Sequence, residues 1–284
     1  MTNRSVILLG GPDSGKSNYI GRLWPALDAK TGMVVATQQP ADIGYVLDTA
    51  DHLFQGRFAP RTEHNEERRD FEVPVALADG SHATSIVIPD ISGELWQTAV
   101  RESEIAQDWL DELDRAHGAL LFMRVGSDQD VRPLDWVTSR KLLAKIGQDE
   151  DREKLPTQVM VCEFIRYLEL TMGNRGEEAK PRLSVIVAAW DRVDQKTFSD
   201  GPRVYLEKEY PLIAGRLRDT AKLEISFFGL SVVGGDLNDD PEFREQYLEK
   251  GLDEHGWVAV SDAETGHWVK DKDLTRPIAW AIGA

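Results

Sequence analysis

Eight residues restrict the folds open to this chain more than any other stretch: Gly10-Gly11-Pro12-Asp13-Ser14-Gly15-Lys16-Ser17. They follow a short apolar run, Ser5–Leu9, and precede a segment, Ser17–Leu27, that carries Ile20, Leu23 and Leu27 on one side of a helix. The spacing G-x-x-x-x-G-K-[ST] between a buried strand and a helix is that of a loop that wraps phosphates. Its glycines let backbone N–H groups turn inward, at a helix N-terminus whose dipole favours anions. Gly10, Gly11, Pro12, Asp13, Ser14 and Gly15 would form the cradle. Lys16 would add a point charge on the outer phosphates, and the Ser17 hydroxyl would ligate Mg²⁺.

The rest of the chain reads as alternating strands and helices. Met33–Thr37 is a strand or a loop, and Ala41–Phe54 is a helix stopped by Gly56. Asp70–Leu77 alternates Phe71, Val73, Val75 and Leu77 on one face, as a half-buried strand does. Ala78-Asp79-Gly80 is a hairpin signal, so Thr84–Pro89 returns antiparallel. Glu94–His117 reads as one long helix with Leu95, Ala99, Ala106, Trp109 and Leu113 inward. Gly118–Val125 and Leu183–Trp190 are buried strands, and Ile225–Leu230 is expected to be the last strand of the core sheet. Helices are expected at Thr157–Met172, Pro202–Ala221 and Pro277–Ile282, the last with Pro277 at its first position. This order predicts a mainly parallel α/β sheet with one antiparallel strand and helices on both faces. The expected unit is a single domain over residues 1–284, with insertions near 28–60, 126–181 and 234–276.

Charge and cysteine content narrow the partners. The formal net charge is −16, which disfavours nonspecific binding to nucleic acid or to anionic lipid. Arg68-Arg69 is the nearest approach to a basic patch. Cys162 is the only cysteine, which excludes an intrachain disulfide and fits a reducing cytosol. No run approaches the length of a membrane span, and the six histidines show no zinc spacing.

A second motif, Asp90-Ile91-Ser92-Gly93, ends the strand Thr84–Pro89. A carboxylate there would face the Mg²⁺ site from the next strand end, and the Gly93 N–H would sense the terminal phosphate. Downstream, Asp191-Arg192-Val193-Asp194 follows the strand Leu183–Trp190. A P-loop, a D-x-x-G strand end and a later acidic motif together resemble the TRAFAC class of GTPases, to which Ras belongs. The resemblance implies that Asp194 accepts two hydrogen bonds from guanine and that Arg192 lies over the base, with Asp191 in place of the usual Asn. It also implies that Ser231, in Leu230-Ser231-Val232-Val233-Gly234, stands where the class has its S-A-K loop. A plain strand-end loop fits that stretch as well.

The chain resembles bacterial double-GTPase proteins in particular, through Gly-Gly-Pro-Asp-Ser-Gly-Lys-Ser, Phe-Ala-Pro-Arg-Thr, Asp-Ile-Ser-Gly-Glu and Trp-Asp-Arg-Val-Asp. These resemble Ras-like switches encoded beside components of conflict or anti-phage systems. What the resemblance implies is a cytoplasmic switch that binds GTP and GDP, hydrolyses GTP, and meets a protein partner through its switch segments. Thr62 would close over the nucleotide by ligating Mg²⁺, although a loop threonine is the plainer reading. Glu94, where Ras-like enzymes place Gln, would orient the attacking water or simply start a helix. Asp13 would ligate a K⁺ ion beside the phosphates or stabilise the loop. Arg57 and Arg61 are candidate arginine fingers or solvated loop residues. Two rival readings remain: a module that holds GTP without hydrolysing it, and a P-loop ATPase or kinase.

Overall fold

The structure is a computed structural model, describing residues 5–40, 42–59, 70–81, 84–89, 99–100, 102, 104, 107–127, 130, 156–172 and 179–283. In chain order the first half forms β1 (Ser5–Leu9), α1 (Lys16–Asp28), β2 (Val34–Ala36), α2 (Ile43–Phe54), β3 (Asp70–Leu77) and β4 (Thr84–Pro89). Then follow α3 (Gln107–Arg115), β5 (Ala116–Arg124), α4 (Thr157–Thr171) and β6 (Arg182–Ala188). The second half adds α5 (Gln195–Glu209), α6 (Pro211–Asp219), β7 (Glu224–Ser231), α7 (Pro241–Lys250), β8 (Trp257–Ser261), β9 (Trp268–Asp271) and α8 (Arg276–Ala281).

The main sheet has six strands in the order β1-β5-β6-β7-β8-β9. The first four are parallel, while β8 and β9 join antiparallel. Strand residues alternate between faces, and here both faces are buried. Ile7 and Leu9 of β1, with Ala119, Leu121 and Met123 of β5, pack into one core with α4, α5 and α6. Val6, Leu8, Leu120 and Phe122 face the other way, into a core with α1, β2, β3 and α8. This explains why β1, β5 and β6 read as continuous apolar runs rather than alternating ones. The second sheet is β2-β3-β4, antiparallel throughout, and β4 lies beside β1. Gly80 at φ +80 turns the β3–β4 hairpin, and the Asp79 carboxylate accepts the Ser81 amide at 2.8 Å.

The α/β class holds, with more antiparallel pairing than one strand. Ile225–Leu230 lies in the last parallel strand, but the 234–276 segment carries two further strands onto the sheet edge. The helix expected to reach His117 stops at Arg115, because Ala116 is already laddered to Ser5. Glu104 is not helical, so that helix is also not continuous. The helix expected over Pro202–Ala221 is two helices. The first starts at Gln195 on an Asp194 cap and kinks at Gly201, which has φ 85 and ψ 167. The second restarts at Pro211, which suits a first helical position. Among the described residues no helix is long and apolar enough to cross a membrane.

Candidate functional site

The eight-residue loop leaves β1 and enters α1 with Lys16 as the first helical residue. Gly15 is the N-cap at φ 96 and ψ 5, a left-handed conformation that a side chain resists, and no side chain caps the helix there. The orphan amides of the first helical turn are therefore left for a ligand. An added Cβ on Gly15 would also stand 3.0 Å from the Ala188 Cβ, at the end of β6. Lys16 folds its ammonium over the loop, donating from Nζ to the Gly10 carbonyl at 2.7 Å, the Gly11 carbonyl at 3.1 Å and the Ser14 Oγ at 3.2 Å. Ser17 follows, half-buried, in the first turn. These positions give a positive charge, backbone amides without a side-chain cap and a hydroxyl at one helix start, a set that suits a polyphosphate and its Mg²⁺.

Asp13 adopts φ 60, a left-handed conformation that Asp and Asn tolerate better than most residues. Its carboxylate accepts from Arg124 Nη1 on Oδ1 and from the Ser127 hydroxyl on Oδ2, the latter at 2.8 Å. Beside this pair opens a cleft lined by Gly11, Pro12, Arg124, Ser127, Asp130 and Tyr210, among others. Burial, with Asp130 adding to it, pushes the Tyr210 hydroxyl well above its ordinary pKa. Asn18, next to Ser17, accepts the Ala59 amide on its Oδ1 at 2.9 Å and so ties that segment to the first turn of α1.

Because β1, β5, β6 and β7 run parallel, the loops after them open at one edge of the sheet, where ligands of α/β folds bind. After β6, Ala189 turns left-handed at φ 54, residues Trp190–Arg192 make a 3₁₀ turn, and Asp194 caps α5. Asp194 Oδ1 accepts the Thr197 amide at 2.7 Å. That N–H, with the Thr197 hydroxyl, holds the exposed Asp194 carboxyl below its ordinary pKa. Arg192 is exposed, while Trp190 is fully buried, edge-on to Tyr205 at 5.4 Å between ring centroids. Ser231, buried at the end of β7, accepts the Gly234 amide at 2.9 Å.

The fold thus sets the phosphate loop against the end of β6, the strand that leads to Asp191–Asp194, where a Cβ on Gly15 would meet Ala188. Ser231 lies at the same edge, with its hydroxyl holding a turn. Asp90, Gly93, Glu94, Thr62, Arg61, Arg68 and Arg69 lie outside the described residues; β4 ends at Pro89, just before Asp90. Arg57 is exposed and donates to Gln55. Among the described residues no group of three or more His, Cys, Asp or Glu gathers as metal ligands. Arg124, Ser127 and Asn18 were not singled out from the sequence. The visible signal for the first was a cation at the next-to-last position of the otherwise apolar run Gly118–Val125.

A phosphate cradle of this form, at the carboxyl edge of a parallel α/β sheet, defines a P-loop nucleotide-binding protein. The profile of the Double-GTPase 1 family matches residues 7–281, and the chain belongs to that family. Membership places it among GTP-binding P-loop proteins. A comparison with curated proteins finds no match. Three solved structures are similar at low identity. A bacterial selenocysteine-specific elongation factor EF-Sec is 13% identical with TM-score 0.36, covering 88% of this chain and 29% of its own. The signal recognition particle receptor SRb-GTP/SRX complex from Chaetomium thermophilum is 13% identical with TM-score 0.37, covering 87% and 98%. The S. cerevisiae Ski7 GTPase-like domain bound to GTP is 15% identical with TM-score 0.40, covering 87% and 49%. This chain therefore spans less than a third of the elongation factor and about half of the Ski7 chain.

Proposed function

We propose that this chain is a Mg²⁺-dependent GTPase that works as a nucleotide-controlled switch. The observation that carries this reading is the uncapped, lysine-bearing start of α1, set against the strand end that leads to Asp194. The loop amides and Lys16 hold the phosphates. The Ser17 hydroxyl suits a hard cation, and Asp90 and Thr62 complete that site in this reading. Mg²⁺ there would offset charge on the transferring phosphoryl group. Asp194 accepts from the guanine N1 and N2 groups, Arg192 covers the base, and Ser231 backs the base loop. Gly93 senses the γ-phosphate, and Glu94 orients the attacking water.

Ala59, anchored at Asn18, stands three positions before Thr62. Three residues span at most about 10 Å, and that chain length supports Thr62 as the residue that closes over Ser17 in this reading. GTP would order the Thr62 and Gly93–Glu94 segments, and hydrolysis would release them, changing a surface for a protein partner. The −16 charge supports a protein rather than a nucleic acid or membrane as that partner, and the single cysteine supports a cytoplasmic setting. Family membership supports a place in a bacterial multi-protein system, of which anti-phage defence is the proposed role. Both Asp13 oxygens accept hydrogen bonds, which favours loop bracing over K⁺ ligation.

The test is base choice. GTP, ATP and XTP affinities are measured for wild type and Asp194→Asn, with phosphate release followed alongside. Asn also caps helices, so α5 keeps its start. The expected result is a strong GTP preference that shifts toward XTP in the variant, because a carboxylate accepts from the guanine N1 and N2 donors and meets a lone pair on adenine. Equal ATP and GTP binding by wild type would refute guanine recognition. Binding without phosphate release would leave a GTP-holding module.

A further inference from the structure

We propose that Arg124 is the built-in counter-cation of the phosphate loop, and that its guanidinium lets the loop accept a triphosphate without help from an alkali cation. The inference rests on the reading of Gly10–Ser17 as a triphosphate site. The problem it solves is electrostatic. Asp13 places a carboxylate on a loop built for anions, three positions before Lys16. Left bare, that charge would repel the ligand.

The structure shows the carboxylate engaged on both sides. Arg124, the last residue of β5, donates from Nη1 to Oδ1, and the Ser127 hydroxyl donates to Oδ2 at 2.8 Å. Gly126, at φ +62, makes the turn that brings Ser127 back toward the loop. The pair is sheltered, with 30% of the Arg124 side chain and 22% of the Asp13 side chain exposed. Salt therefore screens it less than a fully solvated pair. The same clasp holds Asp13 in its left-handed conformation, so Arg124 acts through Asp13 as a positioning residue. Lys16 donates to the Gly10 and Gly11 carbonyls and to Ser14, whereas the Asp13 carboxylate meets the Arg124 guanidinium. Removing Arg124 would expose a carboxylate beside the phosphates and turn Asp13 into a ligand for K⁺.

The experiment measures mant-GTP affinity in choline chloride, NaCl and KCl at constant ionic strength. Four proteins are compared: wild type, Arg124→Ala, Arg124→Lys and the double variant Asp13→Asn/Arg124→Ala, each checked for folding by circular dichroism. Asn is neutral and tolerates the left-handed position. Wild type should bind alike in all three salts. Arg124→Ala should bind at least about tenfold weaker in choline chloride, since one uncompensated charge a few ångströms from the ligand at an effective dielectric near 20 costs more than that. KCl should restore much of that loss. Arg124→Lys should stay within about threefold of wild type, since the charge is kept and only the fork is lost. The double variant should recover in choline chloride and lose its response to K⁺. Undiminished binding by Arg124→Ala in choline chloride would overturn the proposal, and so would a double variant as weak as the single one. Wild type that binds no mant-GTP in any salt would refute the GTP reading itself, and Arg124's role with it.

Discussion

Replacing Gly229 with alanine should damage both the stability of the protein and its hold on the base, although Gly229 touches no proposed ligand. Gly229 lies in β7, and an added Cβ would stand 2.4 Å from both Cδ1 and Cγ of Trp190 and 2.7 Å from its Nε1. Ordinary carbon contacts sit at about 3.5–4.0 Å, so relief requires a shift of about 1 Å or more. Trp190 has little room to give it. Its side chain is fully buried and meets the edge of Tyr205, and its ring belongs to the well-packed core that includes Val187 and Leu206. Overpacking of this kind costs about 1–3 kcal/mol. At the middle of that range, about 2 kcal/mol lowers the melting temperature of a chain of 284 residues by about 3–4 °C. The strain would be passed to the neighbouring 3₁₀ turn, Trp190–Arg192, and so to Asp194. Thermal unfolding by circular dichroism gives the stability, and equilibrium GTP binding below the transition gives the function. Gly229→Ala should weaken GTP several-fold, and adding Trp190→Phe, which frees space, should return part of both losses. A Gly229→Ala protein that melts within 1 °C of wild type would show that the indole relaxes without cost, and the reasoning would fail.

Lys16→Ala should abolish triphosphate binding yet leave the circular dichroism spectrum intact, since the lysine folds over the loop and belongs to neither core; near-normal affinity in the folded variant would sink the cradle. Trypsin cleavage at Arg57, Arg61, Arg68 and Arg69 should be slower with a GTP analogue than with GDP, and identical patterns would count against an order–disorder switch. Intrinsic hydrolysis should be slow, and Glu94→Ala should lower turnover by about tenfold or more at similar GTP affinity, the scale of a water-positioning group; unchanged turnover would assign Glu94 to the helix start. Burial raises the Cys162 thiol, so it is protonated and slow to react at neutral pH. Iodoacetamide should therefore modify the folded protein at pH 7.5 far more slowly than the urea-unfolded chain, and equal rates would refute that protection.

Sequence alone determined the features whose cause is local. The glycines and lysine of 10–17 specify a cradle wherever they stand between a strand and a helix, and they do so here. Period-two alternation marked β3, Asp79-Gly80 marked its turn, and unbroken apolar runs marked β5 and β6 as strands buried on both faces. Pro277 marked the first turn of α8. Each signal is a backbone preference or a burial pattern within about ten residues. Tertiary structure decided the rest. Trp257–Ser261 and Trp268–Asp271 are strands because β7 offers an edge to pair with, and their half-exposed pattern has no strong period of its own. Ala116 and His117 leave the helix for β5 because the ladder to β1 reaches that far. The Arg124–Asp13 clasp joins residues 111 positions apart, and Trp190 fits only because β7 carries glycine opposite it. Such contacts depend on which strands become neighbours, and strand order is a property of the whole packed chain rather than of any segment within it.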